Sequence, residues 1–155
     1  MDPSAWTAWT TSTTPHFSVA DLRCWARLLD VHDGDTIAVA AEVLPGHTYQ
    51  LRIRLAGIDA PEMSRVNVSA EDARRRLVGL LAPTVQVNTT AHMTRGEMQR
   101  ALQADVNLVF IKCMQMDKYG RVLAHVARGP DEEHVQDILL REGHARAYDG
   151  GTRIS

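Results

Sequence analysis

Cysteine is nearly absent: Cys24 and Cys113 are the two thiols among 155 residues. Two thiols cannot build the dense disulfide framework of a small secreted scaffold, so a reduced pair inside strands is expected. No stretch approaches the roughly eighteen consecutive apolar residues that a membrane-spanning helix needs. The opening Met1-Asp2-Pro3 lacks a basic leader, and Thr and Ser interrupt any apolar export segment, so an intracellular setting is favoured. Excess positive charge is missing too, since 17 Lys and Arg stand against 19 Asp and Glu, a formal net charge of −2. Without a global positive field, composition alone argues against a nucleic-acid protein.

What is present is ordinary globular material. A mass of 17.2 kDa with 45% hydrophobic and 23% charged residues suits one compact domain and excludes a disordered or fibrous chain. Residues 1–20 are biased to Thr and Ser and read as an extended N-terminal arm. Its Trp6 and Trp9 offer burial area to the domain surface or, by self-association, to a second copy of the chain; the alternative is a flexible tail with exposed rings. The domain is expected over 21–151, with a tail at 152–155.

From Leu22 the pattern becomes regular. Apolar runs over 22–31 and 36–40 flank His32-Asp33-Gly34-Asp35, the Asp-Gly signature of a hairpin. After Pro45-Gly46, residues 49–56 alternate, with Leu51, Ile53 and Leu55 on one face. Gln50, Arg52 and Arg54 take the other, so two arginines face outward or into a polar site. Ser69 followed by Glu71 and Asp72 starts a helix whose Ala73, Leu77, Leu80 and Leu81 recur until Pro83. Thr94-Arg95-Gly96-Glu97 predicts a capping box and a shorter helix to about Ala104. Residues 106–114 and 121–127 read as strands around the Asp117–Gly120 turn, and a last helix from Asp131 stops at Gly143. Three strands, helices, two strands and a helix fit a β-barrel with helices (α+β), a five-stranded oligonucleotide-binding fold, better than strict strand–helix alternation.

Three short segments carry chemistry. Asp33-Gly34-Asp35-Thr36 is first a turn, but its second acid has a fixed direction and can offer oxygen to a hard cation. In the segment from Arg54 to Glu62, Asp59, Pro61 and Glu62 could cap a helix, although 63–68 carry no apolar stripe to follow. Alternatively, a guanidinium and two acids at one strand end suit a metal-bound phosphate. Asp117-Lys118-Tyr119-Gly120-Arg121 is a turn of solvated charges, or an ammonium, a phenol and a planar fork for phosphate oxygens. Arg74-Arg75-Arg76 reads as a solvated helix face, in preference to a contact with the phosphate backbone of a longer nucleic-acid strand. His92, His134 and His144 read as surface groups, since the histidines lack metal-ligand spacing.

In order and spacing, Asp33-Gly34-Asp35-Thr36, Arg54 with Ile58-Asp59-Ala60-Pro61-Glu62, Asp117-Lys118-Tyr119-Gly120-Arg121 and Leu140-Arg141-Glu142-Gly143-His144-Ala145 make the chain resemble the staphylococcal nuclease-like (thermonuclease) family over about residues 24 to 150. The resemblance implies the same five-stranded barrel and a calcium-dependent nuclease hydrolysing phosphodiester bonds of DNA, RNA or both, with low sequence specificity and 3′-phosphate products. It implies one Ca2+ held by Asp35, Asp59 and the backbone carbonyl of Ala60. Glu62 is then the general base or water-positioning acid, and Arg54 and Arg121 are the phosphate clamps. Lys118 and Tyr119 correspond to contacts with a neighbouring phosphate, and Tyr148 to a further substrate contact. Against the family pattern the span after Glu62 is short, residues 84–105 look inserted, and a final C-terminal helix is not expected. A noncatalytic nucleic-acid- or protein-binding barrel is the alternative; the five side chains Asp35, Arg54, Asp59, Glu62 and Arg121 weigh against it.

Overall fold

The computed structural model describes residues 3–62, 68–85 and 92–148. In chain order the elements are β1 (Arg23–Asp33), β2 (Thr36–Leu44), β3 (His47–Leu55), β4 (Ile58–Asp59), α1 (Val68–Leu81), α2 (Arg95–Gln103), β5 (Leu108–Met116), β6 (Val122–Ala127), α3 (Val135–Arg141) and β7 (Arg146–Ala147). Alternate residues of the long strands, among them Leu28, Ile37, Val39, Ile53, Leu55, Val109, Ile111, Ala124 and Val126, point inward and are buried. Burying each large one contributes about 1.5–3 kcal/mol. The inward faces meet only if the sheet curls, and it closes as a barrel in the order β1-β2-β3-β6-β5. Neighbours are antiparallel except β3 and β6, which run parallel with Ile53 opposite Val122 and Leu55 opposite Ala124. A parallel pair needs a long crossover, and the two intervening helices and β5 provide it.

The expected five-stranded barrel with helices is therefore present, with local differences. β2 continues past Ala40 to Leu44, because backbone pairing carries on to the turn, where the Glu42 carboxylate accepts the Gly46 amide at 2.7 Å. Ser69 lies inside the first turn of α1 rather than before it. The Thr94 capping box forms in both directions, at 3.2 and 3.1 Å. The last helix begins at Val135 with His134 at its N-cap, not at Asp131, because Gly129 and the residues after it form a turn closed by Glu132 N to Gly129 O at 3.3 Å. Gly143, at φ 80°, ends that helix as expected. The arm is not extended: Pro3–Ala8 is a 3-10 turn, and Trp6 and Trp9 stack on each other at 6.3 Å while exposed. Cys24 and Cys113 are free thiols in β1 and β5, and burial pushes Cys113 up to about 11. Residues 86–91 of the inserted segment and the tail at 152–155 lie outside the described residues. Among the described residues no helix is long and apolar enough to cross a membrane.

The arginine triplet of α1 departs furthest from expectation. Arg74 is buried at 3% exposure, on the same helix face as Ala70, Ala73, Leu77 and Leu81. Its Nε donates to Val31 O at 2.9 Å and its Nη1 to Met93 O at 2.7 Å, with Glu71 3.9 Å away. One side chain thus fastens α1 to the end of β1 and to the segment leading into α2. Arg75 pairs with Glu71 and Asp72, and Arg76 with Glu142 at the C-cap of α3. His134 and His92 are likewise engaged, His134 stacking on His125 at 4.7 Å and His92 meeting Glu71.

Removing the guanidinium leaves buried carbonyls without donors, so Arg74→Ala should lower stability by about 3 kcal/mol, read as the urea midpoint at unchanged m-value. A loss within about 0.5 kcal/mol, typical of a surface site, would refute this role. The His125 imidazole is held below its ordinary 6.5 by burial first, then by His134 and Lys112, against the pull of Asp137. The folded state therefore favours neutral His125. Its stabilising share is complete above the unfolded pKa and is lost as pH falls through the lower folded value. Melting temperature should drop on acidification from about pH 7 to about pH 5, and less steeply in His125→Phe.

Candidate functional site

Three chain reversals meet at one rim of the barrel: the β1–β2 turn, the end of β3 with β4, and the β5–β6 turn. The first packs closely because residue 34 is glycine. A Cβ there would lie 2.7 Å from the Ala73 Cβ and 2.9 Å from the Ala60 Cβ, so this turn needs glycine for space. Asp33 accepts the Asp35 amide at 3.0 Å, and Asp35 accepts the Thr36 hydroxyl at 3.0 Å and the Ala60 amide at 2.8 Å. Leu55 N donates to Asp35 O at 2.8 Å, which ties the turn to the end of β3.

Asp59 arrives by a different route. Ile58 and Asp59 form a two-residue ladder with Ala147 and Arg146, and Arg146 Nε lies 3.9 Å from Asp59. The segment therefore does not cap a helix: Asp59 sits in β4, and Pro61 and Glu62 follow as irregular chain. Tyr148, just beyond β7, donates its amide to Gly57 O at 2.9 Å, which brings its ring beneath Arg54, 5.9 Å from the guanidinium.

Arg54 joins these pieces. It is buried to 7% exposure, and Asp35 and Asp59 are each buried to 4%. Its Nη1 is 3.2 Å from Asp35 Oδ2 and its Nη2 3.4 Å from Asp59 Oδ1, while Nη1 also donates to Leu55 O at 3.3 Å. Buried charges of this kind persist only when paired and hydrogen-bonded. Asp33 shows the crowding: burial, then the neighbouring Asp35 carboxylate, push it up to about 7 against the pull of the Asp35 amide and Arg54.

The third reversal is built on Asp117. Its carboxylate accepts the Tyr119 and Arg121 amides at 2.8 and 2.9 Å and the Arg121 Nε at 2.8 Å. Burial opposes ionisation of Asp117, but the two amides and the guanidinium outweigh it and hold the carboxyl below its usual range. The exposed Tyr119 ring lies between Lys118 Nζ at 5.2 Å and the Arg121 guanidinium at 5.4 Å. Arg52 Nη2 donates to Tyr119 O at 2.8 Å and braces the turn from β3.

Of the residues anticipated from sequence, Asp35, Arg54, Asp59, Glu62, Tyr119, Arg121 and Tyr148 line one cavity of about 480 Å³. Ala60 touches the group through its amide, and Lys118 lines a neighbouring cavity of about 910 Å³ that shares Arg54, Tyr119, Arg121 and Tyr148. Sequence reasoning did not assign Asp33, Arg52 or Arg146 to the site. Strand alternation put Arg52 on the face of Arg54, a usable signal, whereas nothing local marks Arg146, whose partner is distant in sequence.

The donor set suits a hard divalent cation. Asp35 and Asp59 offer buried carboxylate oxygens, and among the described residues lining the cavity there is no sulfur or imidazole. Among the described residues no three His, Cys, Asp or Glu side chains close around a common point, so an ion here would complete its shell with backbone oxygen, water or substrate.

Residues 52–153 match the family model described as staphylococcal nuclease homologue. The match covers most of the chain and contains every anticipated site residue except Asp35. No curated protein matches the chain significantly.

Removing the bridging cation should leave two buried acids facing each other. In chelator, Arg54→Met is therefore expected to lose about 3–5 kcal/mol of stability in urea unfolding. A loss below about 1 kcal/mol, the range of an exposed pair, would show that the two contacts do not hold the rim together.

Proposed function

The chain belongs to the staphylococcal nuclease family, and from that footing we propose that it is a calcium-dependent phosphodiesterase acting on DNA, RNA or both, with 3′-phosphate products. The observation that carries this reading is the convergence of Asp35 and Asp59 on Arg54, at 3.2 and 3.4 Å, around a cavity that also holds Glu62 and Arg121. Low sequence preference follows, because contacts to phosphate carry no base information.

Asp35, Asp59 and the Ala60 carbonyl would hold one Ca2+, which supplies charge stabilisation at a phosphate oxygen. Arg54 retains donors beyond its contacts to the two acids and Leu55 O, and these suit a second phosphate oxygen. Arg121 is anchored through Nε by Asp117, and its terminal amino groups would present a planar fork to the same phosphate from the opposite turn. Both guanidiniums then offset charge that grows on the equatorial oxygens during attack. Glu62, exposed at the mouth of the cavity, orients a water and takes its proton as the new O–P bond forms and the bond to the 5′ oxygen breaks. The leaving 5′ oxygen is protonated from solvent. Lys118, Tyr119 and Tyr148 hold the neighbouring nucleotide.

The reading is tested by digesting single-stranded DNA, duplex DNA and RNA in calcium, magnesium or chelator. Cleavage should require calcium and leave 3′-phosphate ends. Glu62→Gln should lower kcat by about a hundredfold to ten-thousandfold, and Arg121→Ala by about a hundredfold to a thousandfold, with the fold unchanged by circular dichroism. No calcium-stimulated cleavage by folded protein would leave only a binding role.

A further inference from the structure

β1 and β5 pair so that Arg23 stands opposite Lys112, Trp25 opposite Phe110 and Arg27 opposite Leu108. The residues between them, Ala26, Val109 and Ile111, point into the core, so these pairs lie on the outer face of the barrel. Trp25 keeps 49% of its surface in solvent and meets Phe110 edge to face at 5.6 Å and 83°. Helix α2 covers β1 only from Arg27 onward: Arg27 Nη2 donates to Gln103 O, and Asp30 receives Arg95 and Gln99. Trp25 is exposed and Phe110 half-buried beside it. The turn at Gly129, with Glu132 next to it, reaches the outer edge of the Trp25 ring, and a cation pair lies on the other side along the strands. Among the described residues, neither Arg23 nor Lys112 is joined to an acid.

The same face leads to the candidate site. Along β5 the outward positions run Leu108, Phe110, Lys112, Met114, and Met114 lines the 910 Å³ cavity together with Arg54, Arg121 and Tyr148. Exposed aromatic surface next to unpaired cations is the chemistry that stacks on bases and neutralises phosphates of a single strand. A duplex keeps its base faces stacked inside and cannot use the rings in this way. We propose that the outer β1–β5 face is a second nucleic-acid contact, along which a single strand leaving the cleft stacks on Trp25 and Phe110 and sets its phosphates against Arg23 and Lys112. The inference rests on the nuclease reading for the class of ligand. It extends that reading from one phosphate to a strand of several nucleotides, in a protein whose overall charge of −2 supplies no general attraction.

The test uses the full chain in chelator, where no hydrolysis is needed, and follows binding of a labelled oligothymidylate long enough to leave the cleft and of a trinucleotide that is not. Trp25→Ala should weaken binding of the long strand about tenfold, within the range for one lost stacking platform. Lys112→Glu should lower the slope of log affinity against log salt by at least about 0.7, the share of one phosphate contact on a single strand. Neither variant should change trinucleotide binding or, in calcium, the rate of trinucleotide cleavage. Unchanged long-strand affinity in both variants overturns the proposal. So does equal loss for the trinucleotide, equal affinity for duplex through the same residues, or a dimer that Trp25→Ala dissociates. Absence of cleavage with the binding pattern intact would sink the nuclease reading and leave this face standing. Lys112→Glu, a surface change, keeps the test valid should Trp25→Ala fail to fold.

Discussion

The arrangement at the barrel rim depends on one buried guanidinium placed between two buried carboxylates. Arg54 is too deep to be solvated and too charged to remain without partners, so Asp35 and Asp59 must come to it. Asp35 reaches it from the β1–β2 turn, which can approach only because Gly34 leaves room for Ala60 and Ala73. Asp59 reaches it from β4, held by the short ladder to β7 that also positions Tyr148. Three segments distant in sequence are thereby tied to one charge, and the cavity is the space left among them.

Polar groups do similar work elsewhere in the structure. Arg74 holds α1 to β1 and to the segment before α2 by donating to two carbonyls. The inserted helix then lies on β1 through a polar seam, with Asp30 accepting from Arg95 and Gln99 and Gln103 donating to Leu29 O. Such a seam fixes position by hydrogen-bond geometry where apolar contact alone would allow sliding. These contacts fall at Leu29 and Asp30, and Trp25, earlier on the same strand, stays half exposed.

The acidic overall balance acquires a local meaning in the same terms. Four acids, Asp33, Asp35, Asp59 and Glu62, share the cavity with Arg52, Arg54 and Arg121, and burial first, then the Asp35 carboxylate, raises the pKa of Asp33. Under the proposed function, a bound divalent cation would reverse the sign of the rim while the whole-chain charge stayed small. Attraction of a polyanion would then be a property of one rim and one sheet face, short in range and sensitive to salt.

Much was legible from local pattern. The Asp-Gly turn, the Thr94 capping box and the Gly143 stop express backbone preferences that a few neighbouring residues decide, and each stands where the sequence places it; the run read over 49–56 falls in β3, which starts two residues earlier and ends at Leu55. The motif order also pointed to the family and to the residues that share the cavity. The burial of Arg74 was not legible, because an arginine within a charged triplet is placed by what packs above it, here the carbonyls of Val31 and Met93. Nor was the Asp59–Arg146 ladder, or the late start of α3. The sequence by itself determined the five barrel strands, the helices and the main turns, and which charged side chains stand at the strand ends. Only the tertiary structure decided that Arg54 would be the buried bridge, that Arg146 would stand beside Asp59, and that Trp25 would be left in solvent. Those outcomes depend on desolvation and on contacts between distant segments, and barrel closure sets both.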